Sequence, residues 1–243
     1  MRSAVLLLAC AGCNSVLGLD SVAEPPTCRA GDEDCDGELN GVDGCPAEAD
    51  EPEADDDLDG VGDACDPDRG ISGNRVALFD GFDDTSNPWR IINGSWQLGG
   101  GAFTQPVQGD ARVELTATAT TPTVGIVVPQ VEISAGGALT VFGFSGSWEL
   151  RCSVARRMAD DVEVLRIEAF LTFMEAELPG SGTLRIAGGQ YSNGTLYCRA
   201  RRGTNFDVEV TGGTLATQTV DQIGIATTGA SATVSSVTLF DVP

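Results

Sequence analysis

One acidic stretch, residues 32–68, constrains the folding of this chain more than any other feature. It reads DEDCDGELNGVDGCPAEADEPEADDDLDGVGDACDPD and holds 17 aspartate and glutamate residues, with no lysine or arginine. It therefore supplies most of the net charge of −22 that the 243-residue chain carries. Because like charges repel each other in a compact state, we expect this stretch to need cations in order to become ordered.

Oxygen-bearing side chains in the stretch repeat with a fixed spacing. In each of two loops they occupy relative positions 1, 3, 5, 9 and 12, and a glycine, Gly37 or Gly60, occupies position 6. Oxygens at positions 1, 3 and 5 can surround one hard cation, and the glycine allows the sharp turn that brings later ligands to it. Six to eight oxygens at about 2.3–2.6 Å suit Ca²⁺, whereas Mg²⁺ requires a small octahedron and retains its waters. The predicted ligands are Asp32, Asp34, Asp36, Asn40 and Asp43 in loop 1, and Asp55, Asp57, Asp59, Asp63 and Asp66 in loop 2.

The two loops differ from EF-hand loops. An EF-hand has a helix on each side and a bidentate glutamate at position 12. Position 12 is aspartate in both loops here, and flanking prolines, including Pro26, Pro46 and Pro52, disfavour helices. A run of like charges can also be a solvated, disordered linker. Disorder gives no reason for the repeated spacing or for the regularly placed cysteines, so the sequence predicts calcium loops.

The stretch resembles the thrombospondin type 3 repeat. In that family two aspartate loops are joined by a Cys-Pro segment, and the second loop ends in Gly-Asp-x-Cys-Asp. This chain has Asp43-Gly44-Cys45-Pro46 and later Gly62-Asp63-Ala64-Cys65-Asp66. The resemblance implies a calcium-binding repeat module. Two features depart from the family: there is one pair of loops rather than a long array, and Cys35 lies inside loop 1, where the family usually has no cysteine.

Composition excludes several classes of function. The chain has no histidine, which removes His-based nucleophile triads, His-based general acid–base catalysis and His-ligated zinc. The net charge of −22 argues against a nucleic-acid partner, because such binding requires a basic surface. The 31 glycines favour a turn-rich β protein over a helical one.

The N-terminus is typical of an exported lipoprotein. Arg2 precedes a short apolar run, residues 4–9, and small residues then surround Cys10 and Cys13. This is a secretory signal that is too short to span a membrane. The sequence Ala-Gly-Cys resembles a bacterial lipobox, in which the cysteine is acylated and becomes the mature N-terminus. Cys13 is the predicted lipidation site because small residues precede it; Cys10, or cleavage without lipid, is the alternative.

These features divide the chain into five segments. They are a signal peptide (1–12), a tether (13–27), the calcium-binding repeat pair (28–69), a hinge (70–74) and a β-sandwich (75–243). A lipid-modified cysteine anchors a protein to a membrane without spanning it. We therefore expect a protein of the cell envelope, at the outer membrane or cell surface, whose acidic repeat acts as a calcium-stiffened spacer that presents the sandwich.

Six cysteines remain outside the signal region, and six cysteines allow fifteen pairings. An exported chain lies in a compartment that permits disulfides. The thrombospondin resemblance implies a Cys45–Cys65 bond. Local pairing then joins Cys28 to Cys35, and Cys152 and Cys198 are left to pair in the downstream domain.

Beyond residue 74 the composition changes to Val, Thr, Ile, Leu and Phe with frequent glycine. About a dozen segments read as strands bounded by turn residues, which predicts an all-β, two-sheet antiparallel sandwich of the jelly-roll type. Residues 162–176 lack glycine and proline and could form either a long strand or a helix. Trp89 and Asn93-Gly94-Ser95-Trp96 at the start, and Ile223-Gly224-Ile225 near the end, resemble the ends of concanavalin A-like lectin/glucanase sandwiches.

A fold of this type does not define a function by itself. Glucanases of this fold carry a Glu-x-Asp-x-x-Glu or similar motif, which sets two carboxylates about 5 Å apart for retaining catalysis. That motif is absent from the predicted sandwich, residues 75–243, and the nearest carboxylates there, whose spacing is wrong, are Glu163, Glu168, Glu175 and Glu177. Trp89 and Trp96 could stack on sugars, although core packing is the commoner role of such residues. We expect a binding or structural role toward carbohydrate or another surface protein, with a lectin-like module and a glycan-cleaving enzyme as the alternatives.

Arginines alternate with core-forming residues around Cys152 and Cys198. If these cysteines are bonded, their Cα atoms lie about 5.5–6 Å apart. If the cysteines also face the core, the alternating arginines project from the opposite face. The predicted basic stripe comprises Arg151, Arg157, Arg199 and Arg201. Because arginine binds carboxylate and phosphate bidentately, the stripe could dock an acidic glycan, a lipid head group or the acidic stretch of the same chain; ordinary solvated arginines are the alternative.

Overall fold

The computed structural model describes residues 28–49, 54–83, 86–146, 148–169, 172–203, 207–216 and 219–242. The predicted signal peptide, Cys10, the predicted lipidation site Cys13 and the tether lie outside the described residues. In the part that is described, no helix is long and apolar enough to cross a membrane.

Fourteen β-strands occur in the described residues, and all follow the acidic stretch. They are β1 (Arg75–Asp80), β2 (Arg90–Asn93), β3 (Gln97–Leu98), β4 (Phe103–Thr120), β5 (Pro122–Val128), β6 (Gln130–Ser145), β7 (Trp148–Arg156), β8 (Glu163–Ala169), β9 (Thr172–Glu177), β10 (Leu184–Gln190), β11 (Thr195–Arg202), β12 (Val208–Thr214), β13 (Thr219–Val234) and β14 (Ser236–Asp241). The described residues between 28 and 74 adopt turns and bends rather than strands or helices.

The strands form two antiparallel sheets that pack as a sandwich. The six-stranded sheet has the order β1-β14-β5-β10-β11-β12, and the eight-stranded sheet has the order β2-β4-β13-β6-β7-β8-β9, with β3 paired to β4. Side chains alternate along each strand, so that in β8 Leu165 and Ile167 are fully buried between the sheets while Arg166 and Glu168 point outward. The predicted all-β, two-sheet antiparallel fold of the jelly-roll type is confirmed.

The segment at residues 162–176 is neither one long strand nor a helix. It forms the hairpin of β8 and β9, in which Leu165 pairs with Ala176 and Glu168 with Phe173. The pattern misled because residues from both arms of the hairpin are β-formers and the segment contains no glycine or proline to mark the turn.

Three disulfides join the cysteine pairs named above, Cys28–Cys35, Cys45–Cys65 and Cys152–Cys198. The last of these connects the two sheets, because Cys152 lies on β7 and Cys198 on β11. Both cysteines are buried, and their Cα atoms are 5.2 Å apart. Gly188 on β10 makes room for this bond, since a Cβ atom there would lie 2.3 Å from the Cβ atom of Cys152.

Candidate functional site

The two aspartate loops have matching backbone hydrogen bonds. The amide at position 9 donates to the carbonyl one residue before the loop, from Asn40 to Gly31 in loop 1 and from Asp63 to Ala54 in loop 2. The amides at positions 11 and 12 donate to the carbonyl at position 8 in both loops. The predicted repeat is therefore a repeat of backbone conformation and not only of residue type.

Side-chain hydrogen bonds also match between the loops. The amide at position 2 donates to the side chain at position 9, Glu33 to Asn40 in loop 1 and Asp56 to Asp63 in loop 2. The amide at position 7 donates to the aspartate at position 5 in both loops. Two residues beyond the loop, the amides of Cys45 and Asp68 donate to the aspartates at position 12. These bonds turn the ligand side chains toward the inside of each loop.

The carboxylates at positions 1, 3 and 5 converge in each loop. Ligand oxygens of Asp32, Asp34 and Asp36 all lie within 4.8 Å of one another, and so do those of Asp55, Asp57 and Asp59. Such crowding of like charges is unfavourable in the absence of a cation. Burial is the largest cause that raises the pKa of Asp34 to about 6 and that of Asp66 to about 6.

Loop 1 contains buried carboxylate oxygens that the protein does not satisfy. Asp34 and Asp36 each accept a backbone N–H with one oxygen, while the other oxygen is buried without a hydrogen-bond partner. Asp32 is only 6% exposed, and its Oδ1 atom also lacks a partner. Buried oxygens of this kind need a donor or a cation. The donor set therefore fits a hard, oxygen-preferring ion such as Ca²⁺.

Sequence reasoning missed Asn74, which links loop 2 to the first strand of the sandwich. Asn74 is 1% exposed, and its Nδ2 atom donates to Oδ1 of Asp66 at 2.5 Å. The backbone amides of Gly73 and Asn74 both donate to Oδ2 of Asp59, at 3.0 and 2.6 Å. The C-terminal end of the predicted hinge is therefore hydrogen-bonded to loop 2. A single asparagine after a glycine gives no pattern from which this contact could be read.

The acidic module, residues 28–69, packs against the outer face of the six-stranded sheet. Glu48 lies between Arg185 on β10 and Arg201 on β11, with N–O distances of 2.8 and 2.5 Å. Asp68 accepts a hydrogen bond from Ser192. A cavity of about 110 Å³ lies between the module and the sheet. The module is therefore docked onto the sandwich, while its role as a calcium-stiffened spacer that presents the sandwich stays a prediction.

The four arginines of the predicted stripe do not share a face. Arg151 projects from the eight-stranded sheet, and Arg157 follows β7 directly, whereas Arg199 and Arg201 lie on the six-stranded sheet. The prediction was wrong because the Cys152–Cys198 bond crosses between sheets, so residues that alternate with these two cysteines point away on opposite sides. Arg201 contacts Glu48 of the acidic module, which is one of the docking partners considered for the stripe.

The other three arginines of the stripe pair with carboxylates inside the sandwich domain. Their partners are Glu149 for Arg151, Asp160 and Glu175 for Arg157, and Glu209 for Arg199. Arg199 also donates to the hydroxyl of Tyr191.

The outer face of the eight-stranded sheet is filled by charged and aromatic side chains. One row across the sheet consists of Arg90, Glu114, Gly224, Phe142, Arg151, Glu168 and Phe173. The guanidinium of Arg112 lies 4.0 Å from the ring centre of Phe142 and bonds both Glu114 and Glu149. Phe142 fits against the sheet because Gly224 has no side chain at the point where the ring lies.

The tryptophans singled out in the sequence pack with other aromatic rings. Trp96 is buried and contacts Phe103, with ring centres 5.2 Å apart. Trp89 is half-buried; its ring contacts Phe82, and its indole N–H donates to Asp80 at 2.7 Å. In this structure both tryptophans stabilise the start of the sandwich.

No family model and no curated protein matches the sequence. Solved structures do share its fold. Bacteroides ovatus xyloglucan PUL GH43B has a TM-score of 0.50 and 12% identity, and the match covers 70% of this chain and 40% of that chain. A prokaryotic β-1,3-1,4-glucanase (lichenase) derived from a mouse hindgut metagenome has a TM-score of 0.48 and 9% identity, with 68% and 99% covered. The carbohydrate-binding module CBM66 from Bacillus subtilis has a TM-score of 0.43 and 12% identity, with 63% and 95% covered.

At such low identities the likeness shows the fold alone. The chain spans 40% of the length of the Bacteroides ovatus structure. The likeness to that structure shows a shared sandwich fold. The resemblance of residues 32–68 to the thrombospondin type 3 repeat stays a prediction.

The docking contact gives a testable prediction. Replacing Arg201 by serine removes one of the two arginines that hold Glu48, so the module should open more often and its amides should exchange faster with solvent. Hydrogen–deuterium exchange of peptides from residues 28–69 measures this change. Because the ion pairs are partly exposed, the difference should shrink at high salt.

The matched control for this measurement is Arg151→Ser, which removes a similarly placed arginine from the other sheet and should leave exchange in the module unchanged. Equal exchange in the wild type and the Arg201 variant at low salt would show that this contact does not hold the module.

Proposed function

We propose that this protein is a calcium-binding, membrane-anchored protein of the cell surface, in which residues 28–69 form a calcium-dependent module docked onto a β-sandwich that binds a ligand. One observation carries the calcium part: three carboxylates converge in loop 1, and Asp32, which is buried at 6% exposure, has an oxygen that no protein donor satisfies. The matched hydrogen bonds of loop 2 support a second site of the same design.

A cation would supply order that this module cannot obtain from a core. Its buried apolar side chains in the described part of the chain are those of Cys45, Pro46, Val61 and Pro67. Segments with so small a core depend on disulfides or metal. The Cys45–Cys65 bond, with a sequence separation of 20, contributes roughly 3 kcal/mol in the chain-entropy model. Calcium would neutralise the carboxylates that the disulfides bring together.

Calcium should stabilise the full chain. With an affinity of about 10⁻⁴ M, which is in the range of extracellular modules, 10 mM calcium should raise the free energy of unfolding by about 2.7 kcal/mol for each loop that binds an ion. Asp34→Asn and Asp57→Asn should each remove part of this gain, since each removes a ligand charge from one loop. Titration calorimetry and thermal unfolding, with and without a chelator, measure the effect.

The control is Glu132→Gln, which removes an exposed carboxylate outside the loops. It should retain the whole calcium response. A wild-type chain that takes up no calcium in calorimetry would contradict the proposal directly.

The anchor is proposed from the N-terminal sequence. We expect Cys13→Ser to release the protein from the membrane fraction and to block lipid-dependent processing, whereas Cys10→Ser should leave both unchanged. Fractionation and mass spectrometry of the mature N-terminus measure the two outcomes. If the Cys10 variant alone is released, the lipid is on Cys10; if neither variant is released, another mode of anchoring operates.

Carbohydrate binding is the second candidate function. The acidic module contacts the six-stranded sheet, while the eight-stranded sheet presents charged groups next to aromatic rings, among them Arg112, Phe144 and Glu149. Polar groups that fix hydroxyls, combined with aromatic faces, are the usual composition of a sugar site. The solved structures that share the fold include a glucanase and a carbohydrate-binding module, as their descriptions state.

Glycan-array binding of the full chain tests this candidate. Replacing Glu149 by glutamine should weaken binding of a recognised glycan about tenfold or more, because an ionised hydrogen-bond acceptor is lost. Glu132→Gln serves again as the control. Release of reducing ends that depends on Glu149 or Glu114 would instead support a glycan-cleaving enzyme, and an array without any bound glycan would leave a structural role.

A further inference from the structure

Position 4 has an unusual backbone conformation in both loops. It lies in the left-handed region, with φ of 69° at Cys35 in loop 1 and 63° at Leu58 in loop 2. Residues with a Cβ atom adopt this conformation at a cost, and glycine adopts it freely. Position 4 stands between the ligands at positions 3 and 5, so its conformation decides whether those two carboxylates point toward the same ion.

A disulfide constrains this conformation in loop 1 but not in loop 2. Leu58 is 85% exposed, so packing contributes little to fixing it. Cys35 is bonded to Cys28, which lies before the loop, and their Cα atoms are 4.9 Å apart. The ring closed by this bond contains Asp32 and Asp34, which are the ligands at positions 1 and 3.

We propose that Cys35 is a positioning residue of the loop 1 calcium site. Its bond to Cys28 holds position 4 in the left-handed conformation, so the carboxylates of Asp32, Asp34 and Asp36 converge before the ion arrives. The inference rests on the proposed calcium binding and deepens it. Preorganisation raises affinity because the ordering cost is met before binding.

A merely structural bond would behave differently. If the Cys28–Cys35 bond served only to tie residue 28 to the module, the residue type at position 35 would not matter once the bond was removed. If the bond acts through the backbone of position 35, glycine should replace it, because glycine reaches the left-handed region without steric cost. Two double variants separate these cases, Cys28→Ser/Cys35→Ser and Cys28→Ser/Cys35→Gly.

Calcium titration of the full chain, monitored by NMR, measures calcium binding in each loop separately. Gly37 and Gly60 occupy position 6 of the two loops, and the amide signal of each reports ion binding in its own loop. The serine double variant should weaken binding at Gly37 about tenfold, as expected from the cost of a left-handed non-glycine residue. The glycine double variant should stay within about threefold of the wild type. Binding at Gly60 should be the same in all three proteins, which also shows that the variants are folded.

Loop 2 offers the reciprocal test. Leu58→Gly should tighten binding at Gly60 by roughly tenfold and leave Gly37 unchanged, because the same conformational cost is removed without a disulfide. Equal weakening in both double variants, or no weakening in either, would overturn the positioning role while the wild-type titration still shows calcium binding. A wild-type chain in which neither glycine responds to calcium would overturn the proposed function and this inference with it.

Discussion

The structure depends on how the negative charge of residues 32–68 is compensated. These residues contain 17 carboxylates and no basic group, so every compensating charge must come from elsewhere. Arginines of the six-stranded sheet provide part of it through Glu48, and backbone amides provide another part at the loop aspartates. The arginines compensate charge where the module meets the sheet, whereas in the proposed calcium-bound state a cation would compensate the carboxylates inside the loops. The docking of the module on the sandwich and the hydrogen bonds within its loops therefore both reduce the repulsion among its carboxylates.

This arrangement gives the two faces of the sandwich different roles. The six-stranded sheet presents Arg185 and Arg201 to the acidic module, and the space that remains between them is small. On the eight-stranded sheet the charged groups pair with one another: Arg112 forms ion pairs with Glu114 and Glu149 and stacks on Phe142. A ligand that binds this second face has to compete with ion pairs already formed, which favours ligands with hydroxyls over ligands with a single charge.

Sequence reasoning reached the parts of the molecule that depend on local spacing. The repeated conformation of the two loops and the two-sheet architecture follow from local periodicities of the sequence, while the assignment of the loop side chains as calcium ligands stays a prediction. It failed where two distant segments meet. A disulfide between Cys152 and Cys198 is compatible both with neighbouring strands of one sheet and with facing strands of two sheets, and only the second case separates Arg151 from Arg199. The contacts of Asn74 and Glu48 could not be predicted for the same reason, since the sequence around a single asparagine or glutamate does not indicate which distant residue it contacts.

The pairing of β1 with β14 sets an order of events for a chain that is synthesised from its N-terminus. β1 begins at Arg75, beyond the segment 70–74 that follows the module, and its partner strand is β14, Ser236–Asp241. This edge of the six-stranded sheet therefore stays open until β14 has been synthesised. The module, by contrast, contains both of its disulfides and both of its loops within residues 28–69. Its disulfides can therefore form before the strands of the sandwich have been synthesised. An acidic module that is already compact would then repel the modules of neighbouring chains and keep their unfinished strands apart.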